Sequence, residues 1–439
     1  MRVHSGGGRR AGRRRTLLTT ASAVAALVMA ASACSGSGGD DGTVELRFSW
    51  WGSDERQATM LKVIENFEAD NPDIRIMGES TDWSSYWDRL ATSTAASDAP
   101  DILMQEERYL REYADRGALM NLDEAEGLDL SKIDPLVAES GDLDGQTFGA
   151  ATGVNAYSIL ADPEAFEAAG VEMPDDDTWT WADYVETAGQ ISEGSDGEYA
   201  GAQSMSYNET GLQVFARQRG ENLYTEDGGL GLSEETVEAW FQVTQDLLDN
   251  GGQPDASRSV EIQAGGIDQS VVATNEGAMA HFWSNQLGNV SESAGRDIQL
   301  LRYPGETESE RTGMFFKPAM FYTIFSGTEH PEEAARFVDY MLNDPAAADL
   351  LLADLGLPAN TEVRESILDD LPEGDARMAD FMSEIEPSIV DGNPPAPIGA
   401  SQVVEISSRV SDRLAFGEIT PAEAAEQFMT EVEAAIGNP

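Results

Sequence analysis

Between Val44 and Gly117 the spacing of apolar residues switches back and forth between two periods, and this rhythm constrains the fold more than any other feature. Val44-Glu45-Leu46-Arg47-Phe48-Ser49-Trp50 alternates apolar and polar residues, the pattern of a strand with one buried face. Met60, Leu61, Ile64 and Phe67 then fall on one helix face. Ser53 is placed to cap that helix, Asp54 and Glu55 suit its first turn, and Asn71-Pro72 ends it. Ile74-Arg75-Ile76 resumes as strand, and Tyr86 with Leu90 marks a second helix. Asp101-Ile102-Leu103-Met104 is a third strand, and Leu110, Tyr113 and Ala114 a further helix before Gly117. Strands and helices in this order predict a mainly parallel sheet covered on both faces.

The remainder is richer in helix. Trp181, Tyr184, Val185, Ala188 and Ile191 share a face behind a Thr180/Asp183 capping box. Val237, Trp240, Phe241, Thr244, Leu247 and Leu248 repeat the pattern, as do Ala334, Phe337, Val338, Met341 and Leu342, and finally Ala425, Phe428, Val432 and Ile436. These stripes are expected to be core faces. Roughly 400 residues of such sequence exceed what one hydrophobic core serves, so two domains are expected.

The chain opens with Arg9, Arg10, Arg13, Arg14 and Arg15, followed by an uncharged, Ala-rich stretch from Thr16 to Ala33. This reads as a secretion signal, 1–33, because a permanent span needs about 20 strongly apolar residues. Ala31-Ser32-Ala33 places small residues before Cys34, the one cysteine of the sequence, as lipidation and cleavage there would require. Several acyl chains on Cys34 would anchor firmly where one binds only marginally. Residues 34–43 read as a flexible linker, and the Arg14-Arg15 pair leaves Sec and twin-arginine export both open. With 80 acidic against 27 basic residues the formal charge is −53, and loss of the basic leader makes it more negative. Such a surface repels nucleic acid and anionic lipid, which makes a nucleic-acid partner unexpected.

No catalytic constellation stands out. With 80 carboxylates, paired acids can be found anywhere and say nothing about glycoside hydrolysis. Beyond the leader the histidines are His281 and His330, without metal-ligand spacing, and Asp175-Asp176-Asp177 lacks the spacing of a calcium loop. Neither a metal nor a cofactor is expected, and the sequence contains no HExxH, GxSxG, GxxxxGK[ST] or GxGxxG motif.

Four blocks in order carry a resemblance. The first is Trp50-Trp51-Gly52 with the helix ending Ile64-Glu65-Asn66-Phe67-Glu68 and then Asn71-Pro72-Asp73-Ile74. The second is Ala99-Pro100-Asp101-Ile102 with Tyr109 to Leu119. The third is Phe166-Glu167-Ala168-Ala169-Gly170 with Thr178-Trp179-Thr180-Trp181. The fourth is His330-Pro331-Glu332-Glu333-Ala334-Ala335-Arg336-Phe337 with Gly356-Leu357-Pro358-Ala359-Asn360. Behind a lipobox-like block, the set resembles the bacterial extracellular solute-binding proteins of family 1, the sugar-binding lipoproteins of ATP-binding-cassette importers that include maltodextrin-binding proteins.

The resemblance implies an α/β, two-lobed, periplasmic-binding-protein-like (type II) fold with hinge crossings. It places 44–153 and about 304–329 in lobe I, and 154–303 and about 330–439 in lobe II. Crossings are expected near Thr152-Gly153-Val154, Leu300 to Pro304 and Gly327 to His330. It further implies a monomer that captures a sugar, closes about a hinge and meets permease subunits in the membrane. A secreted carbohydrate-active enzyme, or a binder of a non-sugar polar solute such as a peptide, stays open beside this.

A sugar needs flat aromatic platforms and side chains that donate and accept at its hydroxyl rim. In an open α/β sheet the site lies beyond the carboxyl ends of the strands. That rule selects Trp51 and Arg56 after the first strand, Trp83 after the second, and Gln105 and Glu106 after the third. Trp50 and Trp51 face opposite ways on a strand, so Trp50 is expected in the core and Trp51 at the cleft. Asn155 and Tyr157 follow the first crossing, and Tyr207 and Asn208 precede a helix. Trp283 follows Ala278-Met279-Ala280-His281-Phe282, where the resemblance implies an aromatic sugar platform. Phe316 and Lys317 are expected in the loop before the strand Ala319 to Ile324. Against each candidate stands plain core packing, the stronger expectation for Trp179 and Trp181. Gln105 and Glu106 stand where maltodextrin-binding relatives have binding residues, and neither is an aromatic platform for a long glucan.

Overall fold

A computed structural model of the chain describes residues 43–437. The leader, most of the linker and Cys34 lie outside the described residues. Two sheets organise the rest. In the first, the order from one edge is Ile74–Thr81, Val44–Trp51, Ile102–Gln105, Phe321–Ile324 and Ala150–Ala151. The first three strands are parallel, and Phe321–Ile324 runs antiparallel to both its neighbours.

The local signals act as expected. Ser53 accepts a hydrogen bond from the Arg56 amide at the start of the helix Asp54–Asp70, whose Met60, Val63, Ile64 and Phe67 are buried. Thr180 and Asp183 form the reciprocal capping box of the helix Trp181–Gly194. Each such cap contributes about 1 kcal/mol by satisfying amides that the first helical turn leaves open.

The second sheet has the order Gln299–Leu301, Gly153–Ala161, Gly277–Trp283 and Ala200–Ala202. Gly153–Ala161 is buried at every residue, because its later part is the centre of this sheet and its earlier part is the passage between sheets. In that passage Phe316–Pro318 pairs antiparallel with Val154 to Ala156 on one side, and Leu357–Pro358 pairs with Gly153 and Val154 on the other. Pro318 lies opposite Val154 and Pro358 opposite Gly153.

Helices Glu234–Asp249, Val403–Ala415 and Pro421–Ile436 pack together beside the second sheet. Trp240, Phe215, Trp181 and Tyr303 form one aromatic core there.

The expected crossings need correction at two places. Leu301 still pairs with Ile159 in the second sheet, and Gly305 donates to the Trp179 carbonyl, so the return lies at Phe316–Pro318 and not at Leu300 to Pro304. The helix Pro331–Asn343 belongs with the first sheet: the Phe337 ring lies 5.4 Å from Phe48 and 4.9 Å from Phe67. The helix Thr361–Ile367 stays with it, held by Arg364 on the buried Asp134. The chain therefore does not leave for the second lobe at Gly327 to His330. It does so between Ile367 and Glu373, since Glu373–Ile385 packs against Leu287–Ala294.

A Cβ placed on Gly153 would lie 2.5 Å from the Leu355 carbonyl oxygen and 2.7 Å from the Gly356 carbonyl carbon. Both contacts are with backbone that cannot swing aside. Gly153→Ala is therefore expected to destabilise by about 1–3 kcal/mol, the usual cost of overpacking, as read from urea denaturation. An unchanged midpoint would show that the passage accommodates a side chain.

Candidate functional site

Two helices begin at one place from opposite lobes. Glu107–Asp115 starts directly after the central strand Ile102–Gln105, with Glu106 as its cap accepting from the Arg108 amide. Glu209–Arg217 starts in the other lobe, capped by Asn208 accepting from the Thr210 amide. The strand Gly277–Trp283 ends there too, and the passage strand delivers Lys317. These residues line a cavity of about 90 Å³ together with Gln213, Tyr224, Asn393 and Pro394.

Its charges are ordered. Lys317 Nζ lies 3.1 Å from Glu106 Oε1 and 3.6 Å from Glu107 Oε2, and Arg108 Nε donates to Glu106 Oε2 at 3.0 Å. Burial alone would raise the Glu106 pKa, but Lys317 and Arg108 outweigh it and hold the carboxyl at about 2. Burial raises the pKa of Glu209, with Arg108 opposing more weakly, and Glu209 Oε2 is buried without a hydrogen-bond partner among the described residues. Lys317 Nζ also stands 5.5 Å from the centroid of the Trp283 ring. Trp283 is half-buried, and Tyr157 supports it from the adjacent strand at 4.9 Å.

Two larger cavities share walls with this one. The first, about 250 Å³, is lined by Trp283 and Asn208 together with Tyr157, Tyr207 and His281. The second, about 700 Å³, is lined by Glu107, Asn393 and Pro394 together with Phe316 and several acids. Pockets for small ligands typically run about 300–1,000 Å³, so the series reaches that range where the central cavity alone does not.

Of the expected site residues, Glu106, Asn208, Trp283 and Lys317 meet in the central cavity, and Tyr157, Tyr207 and Phe316 line its neighbours. Phe316 and Lys317 do so from a strand, where a loop was expected. Asn155 pairs with Lys317 in the passage and is 7 % exposed, outside the cavity walls.

The others lie elsewhere. Gln105 is fully buried with both amide atoms unpartnered among the described residues. Arg56 forks onto Asp354, with Nε to Oδ2 at 2.8 Å and Nη2 to Oδ1 at 3.1 Å. Trp51 does face opposite to Trp50, but the helix Trp83–Ala95 covers that side and encloses it among Trp83, Tyr86 and Trp87. Trp83 is exposed, stands edge-on to Tyr109 at 6.3 Å, and is absent from the walls of these three cavities.

Several lining residues were not singled out from the sequence. Glu107 and Arg108 directly follow the chosen Glu106, and Glu209 follows Asn208, so extending each choice by one or two residues would have found them. Asn393 and Pro394 lie in a proline-rich loop that carries no periodic signal. That loop is held by Arg217, which is wholly buried and donates to the carbonyls of Gly313, Gly392 and Asp391 and to Asn393 Oδ1 and Asp391 Oδ1.

Behind Trp283, His281 sits between two phenols, with Nε2 2.7 Å from Tyr184 Oη and Nδ1 2.8 Å from Tyr303 Oη. Burial pushes its pKa down to about 3. The native imidazole is therefore neutral, while the unfolded chain takes up a proton below about pH 6.5. Stability is full above that pH and falls as the pH drops toward 3. Between pH 6.5 and 5 the protein should lose stability with a slope approaching about 1.4 kcal/mol per pH unit from this group, and His281→Gln should show a shallower fall. Equal slopes in urea denaturation would remove His281 from that role.

No helix among the described residues is long and apolar enough to cross a membrane. Residues 62–377 match the family described as bacterial extracellular solute-binding protein. A protein of Streptomyces antibioticus described as an uncharacterized lipoprotein in the oleD 5' region is 23% identical over 341 residues, covering 73% of this chain and 72% of its own. A solved extracellular solute-binding protein family 1 from Alicyclobacillus acidocaldarius is 26% identical with a TM-score of 0.73, covering 90% of this chain and 99% of its own. A periplasmic oligogalacturonide binding protein from Yersinia enterocolitica has a TM-score of 0.76 at 22% identity, with the same coverage.

Proposed function

Because the chain belongs to the bacterial extracellular solute-binding protein family, we propose that it is the capture component of an ATP-binding-cassette importer. It binds a mono- or oligosaccharide between its lobes and delivers it unaltered to permease subunits in the membrane. Acylation of Cys34 would hold the monomer at the outer face of the cell membrane. The lipoprotein description of the Streptomyces antibioticus relative supports that tether, and the saccharide named for the Yersinia enterocolitica structure supports the ligand class.

The observation that carries the reading is the half-buried Trp283, set among hydrogen-bonding side chains from both lobes. An indole offers the apolar platform a sugar ring needs, while Glu106, Asn208, Gln213 and Asn393 offer the rim contacts. A ligand that touches the helix starts at Glu107 and Glu209 together favours the closed arrangement, since only a difference in affinity between two states shifts their balance. A dissociation constant of about 1 μM, roughly −8 kcal/mol, suffices for a capture protein that must also release.

The test is a thermal-shift and calorimetric screen of saccharides against amino acids and short peptides. Binding confined to saccharides, with no product released on prolonged incubation, is the expected result. Binding confined to peptides, or turnover of an oligosaccharide, would overturn the proposal.

A further inference from the structure

The cleft carries one more acidic side chain than basic ones. Five ionisable side chains line the central cavity: the carboxyl groups of Glu106, Glu107 and Glu209 against the basic groups of Arg108 and Lys317. Lys317 and Arg108 are taken up by Glu106 and Glu107. Glu209 forms no ion pair within 4.0 Å among the described residues, is 8 % exposed, and has Oε2 without a partner. Burial without a partner disfavours the charged form of such a carboxyl, and a donor or a positive charge that arrives to meet it restores that form.

The adjoining cavity of about 700 Å³ repeats the sign. Its walls carry Glu107, Glu139, Asp142, Asp144, Glu226 and Asp391 with Arg111 as the one cationic lining residue. Clefts lined by one sign of charge concentrate ligands of the other.

On this basis, and resting on the saccharide reading above, we propose that the ligand is cationic: an amine-bearing saccharide whose ammonium group is received by Glu209. The ammonium brings the cavity to three positive and three negative groups. It gives Glu209 Oε2 its missing donor, and Glu107 shares the same wall. A uronic acid, the ligand class named for the Yersinia enterocolitica protein, would instead set another carboxylate beside an unpaired one. Like charges in so buried a site repel strongly, so the same geometry selects against acidic sugars.

The experiment uses matched ligands differing in one group. Glucosamine, galactosamine and mannosamine, with the 2-amino dimers of glucose, are titrated beside their 2-hydroxy and 2-acetamido counterparts and digalacturonate, into the wild type and Glu209→Gln. The expected result is at least one amine bound 10-fold or more tighter than its hydroxy counterpart. That preference should shrink toward unity in Glu209→Gln, and digalacturonate should fail to bind. Hydroxy and amino sugars bound alike, or a preference that survives Glu209→Gln, overturns the cationic assignment while leaving saccharide capture intact. Failure of every saccharide to bind overturns the saccharide reading and the assignment with it.

Discussion

Replacing Trp283 by alanine is expected to weaken saccharide binding by about 30-fold or more while the circular dichroism spectrum stays that of the wild type. The indole stands half-buried where two cavities meet, held from behind by Tyr157 and approached by the Lys317 ammonium. Buried aromatic anchors of this kind typically account for 2 kcal/mol or more of binding energy, and 2 kcal/mol corresponds to about 30-fold. The fold should survive because Tyr157 keeps a second support in Tyr303, stacked at 5.9 Å, and the strand pairing of Gly277–Trp283 uses backbone. Trp283→Phe, which keeps an apolar face, should recover part of the affinity. Calorimetry showing wild-type affinity in Trp283→Ala would dismiss the indole as the platform.

The largest effect on stability is expected at Arg217. Its guanidinium is fully enclosed and faces the Phe315 ring at 5.3 Å, while its five nitrogen-bound hydrogens serve the Gly313 carbonyl and the segment Asp391 to Asn393. Arg311 reaches Asp391 from outside and donates to the Arg217 carbonyl. Arg217→Met keeps much of the volume but leaves those carbonyls without donors, so about 3–5 kcal/mol should be lost in urea denaturation. Because Asn393 and Pro394 line the central cavity, ligand affinity should fall as well. Arg217→Lys retains the charge without the planar fork and should restore only a part. A loss below about 1 kcal/mol in Arg217→Met would show that the loop is held by other contacts.

These two residues mark the limits of what the sequence discloses. The place of Trp283 at a cavity wall is legible, because a strand ending in an aromatic residue at a sheet's carboxyl edge is a local pattern. That of Arg217 is not, since an arginine at the end of an amphipathic helix reads the same whether it meets solvent or a loop 175 residues further on.

The same contrast runs through the fold. Ser53, the Thr180/Asp183 box and the first three strands follow from nearest-neighbour chemistry and stand where expected. Assignment of Pro331–Asn343 to a lobe failed, because an apolar stripe says that a helix is covered and not by which sheet. Trp51 failed for a related reason: period two fixed its side of the strand, but only the path of the next helix decides whether that side is open. Gln105, the last residue of its strand, is fully buried, whereas Glu106, one residue later, lines the central cavity.

The passage between the two sheets is itself a ribbon of three hydrogen-bonded strands, two of which carry a proline whose φ is fixed. Swinging one half against the other therefore means bending something already ordered, and no segment has to melt and re-form at each cycle. Little conformational entropy is surrendered on capture or regained on release. On the proposed capture cycle, little of the attraction between solute and cleft would then go into reordering the chain, so few contacts would suffice to hold the solute.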